Sequence, residues 1–479
     1  MWRVYRYELQ RHWGPLPDLV AGLVPDLDSW VAANGGREGV RFLLGPDGFP
    51  DLRVNAFFAS AKMRNRSELT NRDYARGVCL WLNFLTVHGR HWWEACEDDV
   101  EEFQFWRMTD PANAGRVQAT TFSKDLAACK KFHKWAATRY QVTDPFADAE
   151  PPRAKRHASV KWLDPAGFAR WRDLGLRGYD LTAAADPAWK GRNEQRNAAF
   201  ADGLLGTGLR LSEWASVIVP ELPQNTAGRA YFTCRLADSC GKGGYGHKYW
   251  MPRNILTATL AYIEGARARA IRRAQAAGRY DTILARQIVT VDTTRGGSVR
   301  STDRTVQANR TAFNDLGPAA RRRLFVETGH GIAPLSLWLN EDGLPRDAHG
   351  WHHTFTDANE RIHAMGLGGF TCSPHMARHS FALRWYSIGK LATAGRLHDL
   401  TEDEARDFRE QFGDTWHLVQ TMLGHRSVET TKNVYLEPFR SLDVELLLAH
   451  AEGFPISKFM AEVFASHPRV RTDPLAVNR

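Results

Sequence analysis

Two consecutive prolines, Pro151 and Pro152, interrupt a chain that otherwise favours helices, and this interruption constrains the fold more than any other feature. Residues 150–161 have the sequence EPPRAKRHASVK, in which basic residues follow the prolines without an acid between them. A chain of 479 residues is also too long for one compact domain. The sequence therefore predicts two domains joined by a basic linker.

The apolar periodicity predicts a mainly α fold with a small β-hairpin or sheet. The predicted divisions are an N-terminal segment of unknown role at 1–63, a helical domain at 64–149, the basic linker at 150–161, a larger mixed α/β domain at 162–450 with an insertion at about 265–333, and a C-terminal tail at 451–479. The sequence contains no internal repeat and no low-complexity tract, so it indicates neither a solenoid nor a disordered chain.

Three helices are expected in the first domain. Thr70 and Asp73 form a capping-box pattern that predicts the start of the first, and apolar residues at helical spacing place the others at about 98–107 and 120–140. No acidic residue lies between Ala127 and Arg139, so the polar face of the third helix suits a phosphate backbone as well as plain solvation.

The basic balance of the chain favours a polyanionic partner. Lysine and arginine together number 63 against 54 acidic residues, which gives a formal charge of +9 and an isoelectric point near 9.3. The predicted DNA contacts are the basic residues of the third helix and the linker: Lys124, Lys130, Lys131, Lys134, Arg153, Lys155, Arg156 and Lys161.

Several classes of protein are disfavoured. No apolar run reaches the length of about 18 residues needed to cross a membrane, and the first residues lack a secretory apolar core. The six cysteines form no CxxC pair, which is typical of reduced thiols in the cytoplasm. The sequence has no P-loop, no HExxH pattern and no acidic cluster placed for two metals, so we expect neither a cofactor nor a metal.

Four short motifs contain groups capable of chemistry. In TGLRLSEW, Gly208 ends a helix and Arg210 begins another, with Glu213 three residues on and able to hold the guanidinium. Gly241-Lys242-Gly243-Gly244 lies at the tip of a predicted hairpin formed by 231–235 and 249–252. Taken alone, the first motif is more often a surface ion pair than a functional site, and the second also has the composition of an ordinary solvated turn.

The other two motifs lie towards the C-terminal end. In SPHMARHSF, Ser373 caps a helix with Pro374 at its first position, so that His375 and Arg378 project together from the first turn. In LGHRSVETT, a glycine ends a helix before His425, and Tyr435 follows ten residues later. A tyrosine in that position is by default a half-buried packing residue whose hydroxyl bonds to a neighbour.

The motifs follow one another along the chain as Arg-x-x-Glu, Gly-Lys-Gly, His-x-x-Arg, Leu-Gly-His and Tyr. With this ordered set the chain resembles the tyrosine recombinases, or phage-integrase family. The resemblance covers 162–450, and 64–148 is similar to the core-binding DNA domain of that family. It implies a catalytic pocket of Arg210, Lys242, His375, Arg378 and His425, supported by Glu213, with Tyr435 as nucleophile. The arginine and HxxR motifs lie 165 residues apart, more than in compact members.

The resemblance also implies partners and a reaction. A C-shaped clamp on double-stranded DNA attachment sites would cleave and rejoin strands through a 3′-phosphotyrosyl intermediate, integrating or excising a mobile element in the cytoplasm at the nucleoid. The implied assembly is a homotetramer that forms from monomers on synapsed DNA. Directionality or DNA-bending factors are possible further partners.

Other interpretations remain open at this point. A type IB topoisomerase uses a similar set of arginine, lysine, histidine and tyrosine, and a catalytically silent DNA-binding regulator would keep the fold. A metal-dependent hydrolase built on His352 and His353 is a third alternative, without supporting ligand spacing. Within the hairpin, Lys248 competes with Lys242 as the general acid.

Overall fold

The computed structural model describes residues 1–7, 29, 36–37, 39–152, 162–224, 228–283, 286–302, 310–393, 403, 415–428, 470–471 and 473–475. The chain divides into two compact units, Met1–His157 (unit 1) and Ala158–Arg479 (unit 2), so the division falls within the predicted linker. Each unit has a hydrophobic core of its own. Within the described residues, no helix combines the length and apolar character needed to cross a bilayer.

Unit 1 is mainly helical. Its elements are β1 (Arg3–Arg6), β2 (Arg41–Leu44), α1 (Leu52–Ala59), α2 (Ala61–Arg64), α3 (Glu68–Val87), α4 (Glu97–Met108) and α5 (Ala119–Tyr140). The two strands pair antiparallel. The helices predicted at 98–107 and 120–140 are confirmed as α4 and α5.

The start of α3 differs from the prediction. Ser67, not Thr70, is the N-cap, and its hydroxyl accepts a hydrogen bond from the Thr70 N–H at 3.2 Å. The helix thus begins one turn before the expected position. Two cap-forming residues three positions apart both suit an N-cap, and the extended backbone of Ser67 (φ −62°, ψ 152°) decides between them.

The core of unit 1 includes part of the N-terminal segment. Val54, Phe57 and Met63 are buried in the same cluster as Trp81 and Phe132 of the predicted helical domain. The described part of 1–63 therefore packs with the helices that follow it rather than forming a separate body. The predicted division at 63/64 does not coincide with a structural boundary.

Unit 2 combines helices with small sheets. Its elements are β3 (Trp162–Leu163), α6 (Pro165–Leu176), α7 (Glu194–Thr207), α8 (Leu211–Ala215), β4 (Tyr231–Arg235), β5 (Lys248–Pro252), α9 (Arg253–Tyr262), a π-helical segment (Ile263–Arg267), α10 (Ala268–Ala276), β6 (Gln287–Asp292), β7 (Ser298–Ser301), β8 (Arg310–Ala312), α11 (Pro318–Arg321), β9 (Leu324–Thr328), β10 (Gly331–Pro334), α12 (Gly350–Ala364), α13 (Pro374–Thr393), α14 (Thr415–Leu423) and β11 (Val470–Arg471). Tryptophans 171, 214, 338 and 351 lie in its core.

The predicted hairpin is present. β4 and β5 pair antiparallel, with Arg235 opposite Lys248, and residues 236–247 connect them. A short 3₁₀ turn, Asp238–Cys240, lies in this connection, which is longer than a tight hairpin turn. The mainly α fold with small sheets is therefore confirmed.

A five-stranded sheet occupies the region predicted as an insertion, where the sequence analysis assigned no strand. Its order is β10-β9-β6-β7-β8, with β6 and β9 parallel and every other pair antiparallel. Arg321, only 2% exposed, anchors this region by donating to both carboxylate oxygens of Glu221 at 2.6 and 2.8 Å and to the Ser216 carbonyl at 3.1 Å.

The last described strand returns to the beginning of unit 2. β11 pairs in parallel with β3, with Val470 opposite Trp162 and Arg471 opposite Leu163. Arg170 of α6 forms an ion pair with Asp473 at 3.1 Å. The first and the last described residues of the unit are therefore neighbours.

Candidate active site

Arg210 lies at the junction of α7 and α8. Gly208 adopts a left-handed conformation (φ +67°) after the last residue of α7, and a Cβ there would overlap the ring of Phe381. The main-chain N–H of Arg210 then donates to Glu213 Oε2 at 2.8 Å, and its Nη1 donates to Oε1 at 2.7 Å. The pairing predicted from the three-residue spacing is present.

Glu213 is a buried charge between two arginines. It is 1% exposed, Arg210 lies on one side, and Arg378 Nη1 lies 3.9 Å from its Oε2 on the other. Burial raises the pKa of Glu213, but the two guanidinium groups together outweigh burial, so that this pKa lies below its ordinary value. The carboxylate is therefore charged at neutral pH and holds both cations.

Arg378 connects three of the predicted motifs. It lies in the first turns of α13, which Ser373 caps as predicted by accepting a hydrogen bond from the Met376 N–H at 3.2 Å. Its guanidinium, 1% exposed, donates to the carbonyl of Gly208, to the carbonyl of Leu423 at 2.9 Å and to His425 Nε2 at 3.0 Å. Its η nitrogens thus hold the site together.

His425 follows α14 in a tight turn. Gly424 has φ +63°, and the His425 N–H donates to the Gln420 carbonyl at 3.0 Å. Because Nε2 accepts from Arg378, the ring proton is assigned to Nδ1. Burial, followed by Arg378, Arg210, His247 and Lys242, lowers the pKa of His425 to about 3, so the imidazole is neutral at pH 7.

His375 lies on the open side of the site. Its side chain is exposed, and its ring packs edge-on against His379 with centroids 4.4 Å apart. Partial burial, then Arg378, Arg210 and Lys242, lowers the pKa of His375. A histidine that is neutral and accessible is able to accept a proton.

Lys242 lies in the β4–β5 connection and is exposed. Its charge contributes to the lowered pKa values of both His375 and His425, which places the ammonium group near both rings. Lys248, the competing lysine, is also exposed but begins β5 opposite Arg235, and it contributes to neither histidine's pKa shift. Of the two lysines, Lys242 is therefore the one whose charge acts on the histidines of the site.

Two contacts that the sequence analysis missed hold the Lys242 connection against the His425 turn. The ring of the buried His247 packs so closely on Gly424 that a Cβ there would overlap it, and Tyr245 stacks on the guanidinium of Arg426 at 4.7 Å. No local pattern marks His247, because its partner lies 177 residues away in the sequence.

The base of the same connection is attached to the five-stranded-sheet region. Asn314 donates to Asp238 Oδ2 at 2.7 Å and accepts from the Asp238 N–H at 2.9 Å. Asp238 in turn accepts from the Gly246 N–H at 2.9 Å. The glycine-rich tip is therefore supported on both sides, whereas the sequence suggested a free, flexible turn.

The proposed nucleophile and half of the predicted DNA contacts lie outside the described residues. These are Tyr435, Arg153, Lys155, Arg156 and Lys161. Tyr386 of α13, the other tyrosine of this region, is 1% exposed and packs on Trp416 with ring centroids 4.7 Å apart. The described site thus contains five predicted polar residues and their supporting Glu213.

The predicted lysines of α5 divide into two kinds. Lys130 Nζ donates to the carbonyl of Ala149 at 2.6 Å, so it fixes the chain after α5 instead of facing a partner. Lys124 and Lys134 are exposed. Burial and then the charges of Lys62, Arg66 and Lys134 lower the pKa of Lys131. Lys62 and Arg66, which the sequence analysis did not select, therefore extend this basic surface.

The metal-hydrolase interpretation has no site in the described structure. Over these residues no three histidine, cysteine, aspartate or glutamate side chains approach closely enough to bind a metal ion. His352 lies near His349 and His353 on α12, and burial followed by these two neighbours lowers its pKa.

A family comparison assigns unit 1. Residues 54–140 match the family model described as "Phage integrase, N-terminal SAM-like domain". Unit 1 thus contains a phage-integrase N-terminal domain. The resemblance to the tyrosine recombinases, inferred from the motifs of unit 2, is confirmed by this match for unit 1. The match begins at α1, which agrees with the packing of Val54 and Phe57 into the helical core.

Solved structures of tyrosine recombinases are similar to this chain at low identity. The XerH site-specific recombinase bound to palindromic difH substrate is 13% identical, with 83% of this chain and 84% of that chain covered and a TM-score of 0.46. The Tn1549 transposon integrase with a circular intermediate DNA is 14% identical over 82% and 99%, with a TM-score of 0.43. The XerA recombinase is 16% identical over 84% and 99%, at 0.30. The search of curated proteins finds no match.

The described site offers a cationic surface with neutral proton acceptors. Arg210 and Arg378 flank the carboxylate of Glu213, and the charge of Lys242 acts on His425, so the positive charges of these residues outnumber the negative one. Of the two arginines, Arg210 is the accessible one, with 28% of its side chain exposed. The arrangement can bind a phosphate group and supply donors to its oxygens.

Proposed function

We propose that this chain is a site-specific tyrosine recombinase that cleaves and rejoins DNA through a 3′-phosphotyrosyl intermediate, integrating or excising a mobile element. The observation that carries the proposal is the meeting of three motifs at one guanidinium. Arg378 contacts Gly208 beside the arginine motif, Glu213 within it, and His425 of the LGH motif. Separate surface features would have no reason to converge in this way.

The proposed reaction assigns one task to each group. Tyr435 Oη forms a bond to phosphorus, the bond to the 5′ oxygen breaks, and His375 accepts the phenolic proton, which is needed because a tyrosine pKa near 10 leaves it neutral at pH 7. Lys242 donates a proton to the departing 5′ oxygen. Rejoining runs these steps in reverse, so the phosphodiester energy is conserved in the covalent intermediate.

The arginines and His425 stabilise the charge on the phosphate. Arg210 offers its exposed donors directly, and Arg378 reaches the phosphate by exchanging its bond to His425 Nε2 for a bond to a phosphate oxygen. His425, with its proton on Nδ1, donates from that nitrogen. Glu213 fixes Arg210 before the charge develops, so this donor needs little reorganisation when the transition state forms.

The proposed assembly is a tetramer on double-stranded attachment sites, formed from monomers that each bind one half-site. Recombining two duplexes needs four strand cleavages, and each chain supplies one Tyr435. The basic surface of unit 1, which includes Lys62, Lys124, Lys131 and Lys134, suits the backbone of the half-site. Directionality or DNA-bending factors would act on this assembly.

Substituting Tyr435→Phe tests the proposal. The wild-type protein should form a covalent adduct with a nicked suicide duplex carrying the attachment site, identified from the ends of the element beside the gene, in EDTA. The variant should bind the duplex normally and form no adduct, because only the attacking oxygen is lost.

Tyr386→Phe is the matched control, since Tyr386 is buried against Trp416. It should keep the adduct. An adduct formed by Tyr435→Phe but lost in Tyr386→Phe would refute the assignment of the nucleophile. Relaxation of supercoiled DNA that lacks the attachment site would instead support the topoisomerase alternative.

A further inference from the structure

A second positively charged cavity lies in unit 2 at the other end of α7 from Gly208 and Arg210. Its volume is about 330 Å³, within the range of small-ligand sites. The 14 residues of α7 separate the two regions by roughly 21 Å at 1.5 Å per residue. None of the residues that line this cavity belongs to the candidate active site.

The cavity is formed where the helical backbone changes its pitch. The π-helical segment Ile263–Arg267 separates α9 from α10, and π-helical turns are frequent at functional sites. Gln195 of α7 fills the widened turn, donating to the Ala261 carbonyl at 2.9 Å and accepting from the Ala266 N–H at 3.0 Å. The altered backbone is thus held by specific contacts.

Side chains on both sides of this segment fix its orientation. Arg267, 7% exposed, donates to the carbonyls of Pro334 at 2.6 Å and Ser336 at 2.9 Å. On α10, Ala270 and Ala274 are buried, so the arginines between them remain at the surface of the helix. The cavity therefore has a rigid wall with exposed cationic side chains.

The charge of the cavity is strongly unbalanced. One carboxylate, Glu341, lines it together with five arginines, an excess of four positive charges: Arg192, Arg196, Arg269, Arg272 and Arg273. Glu341 Oε1 lies 3.3 Å from Arg192 Nη1 and 3.9 Å from Arg273 Nη1. The five arginines that line one cavity repel one another, and an anion bound among them relieves that repulsion.

Arg196 is the buried member of the set. It is 4% exposed, donates to the Leu339 carbonyl at 2.8 Å and lies 5.4 Å from the ring centre of Trp351. Burial, then the neighbouring Arg346, lowers the pKa of Arg196 to about 10, so it remains a cation at pH 7. The innermost donor of the cavity is therefore fixed in place and charged.

We propose that this cavity binds phosphate groups, carried either by a small phosphorylated molecule or by the DNA backbone. Guanidinium groups match the several oxygens and the multiple charge of a phosphate better than those of a single carboxylate. The volume accommodates two linked phosphates. This site is separate from the pocket proposed for strand cleavage.

The first test is titration calorimetry of the full-length protein with inorganic pyrophosphate at constant ionic strength. Wild type should bind, and Arg269→Ala and Arg273→Ala should each weaken binding at least tenfold. Glu341→Gln should tighten binding, because it removes the competing carboxylate and keeps the side-chain shape. Arg300→Ala, an exposed arginine on β7 outside the cavity, is the matched control and should bind like wild type.

Two results would overturn the proposal. One is the absence of pyrophosphate binding in wild type. The other is binding that survives Arg269→Ala and Arg273→Ala but disappears in Arg210→Ala, since that signal would belong to the candidate active site. Thermal unfolding of each variant separates a lost site from a lost fold, and the exposed side chains of Arg269 and Arg273 should leave the fold intact.

A second arm distinguishes the source of the phosphate. Binding to a duplex without an attachment site is measured over a series of salt concentrations for wild type and for the double variant Arg269→Ala/Arg273→Ala. If the DNA backbone occupies the cavity, the slope of log K against log salt should fall by about 2, because each phosphate that an arginine neutralises contributes about 0.9 to that slope. With pyrophosphate binding present and this slope unchanged, the occupant is a small phosphorylated molecule.

Discussion

His133 in unit 1 and His425 in unit 2 are both buried, and the pKa of each is lowered to about 3, but for different reasons. Burial alone acts on His133, which accepts a hydrogen bond from Trp81 Nε1 at 2.9 Å within a cluster of aromatic rings. His425 adds four cationic or titratable neighbours to burial and is held by Arg378.

The comparison indicates that His133 is buried as part of the packing of unit 1, whereas His425 is buried in surroundings that suit a bound anion. The aromatic surroundings of His133 offer no charge that an incoming group would use, and the bond to Trp81 satisfies the indole N–H. Around His425 the positive charges exceed the single carboxylate Glu213, and repulsion among them would fall on binding an anion. The two pKa values are therefore equal for different physical reasons, and they do not indicate equal roles.

The largest effect is expected for Arg378→Ala, which should impair both stability and catalysis. Glu213 would lose one of its two cations, and the carbonyls of Gly208 and Leu423 would lose their donor. The free energy of unfolding should fall by about 3–5 kcal/mol, and cleavage per folded molecule should slow by about 10²–10³. Denaturant titration and single-turnover cleavage measure these two quantities.

Arg384→Ala is the control, because Arg384 is an exposed arginine on the same helix. It should change neither quantity. If Arg378→Ala proved as stable and as active as Arg384→Ala, the buried charges of unit 2 would contribute nothing to catalysis, and the contrast with the aromatic cluster of unit 1 would be lost.

Lys242→Ala should impair catalysis without affecting stability, because the side chain is exposed. Cleavage of normal DNA should slow by about 10²–10⁴, the usual contribution of general acid catalysis. A strand with sulfur in place of the bridging 5′ oxygen releases a thiolate that needs no proton, so that substrate should restore a near-normal rate. Lys248→Ala should show neither the defect nor the restoration; the opposite pattern would assign the general acid to Lys248.

His133→Phe should show the smallest effect and act on stability alone. At pH 7 the variant leaves the Trp81 N–H without its acceptor and should lose about 1–3 kcal/mol. The wild-type pKa is lowered in the folded state, so wild type loses stability as pH falls from about 6.5 towards 3, at roughly 1.4 kcal/mol per pH unit for this histidine. The variant lacks that loss.

Urea unfolding at pH 7 and pH 5 checks this expectation. The gap in stability between wild type and His133→Phe should shrink by about 2 kcal/mol at the lower pH. Cleavage per folded molecule should be unchanged at pH 7. A constant gap would show that the pKa of His133 is the same in the folded and the unfolded protein, and a cleavage defect would remove the contrast between the two histidines.

Local signals in the sequence predicted much of the site. Gly208, Ser373 and Gly424 each end or begin a helix where expected, because caps and left-handed turns depend on single residues. The Arg210–Glu213 pair followed from helical spacing. These features need no knowledge of distant parts of the chain.

The features that the sequence analysis missed depend on distant pairs. The five-stranded sheet uses strands of three to six residues with one parallel pair, and such short strands carry little periodicity. Asn314 meets Asp238 across 76 residues, and His247 packs on Gly424 across 177. In the sequence Lys130 cannot be distinguished from the neighbouring lysines, because its hydrogen-bond acceptor, the carbonyl of Ala149, lies 19 residues away.

The pairing of β3 with β11 makes unit 2 a module whose entrance and exit lie side by side. A linker could join residue 475 to residue 162, which keeps the Arg170–Asp473 ion pair, and the chain could then be opened at a surface turn to give a circular permutant with the same contacts. The same geometry lets such a module be fused to an unrelated neighbour without disturbing its interior. The packing inside unit 2 therefore does not depend on where the chain enters or leaves the unit.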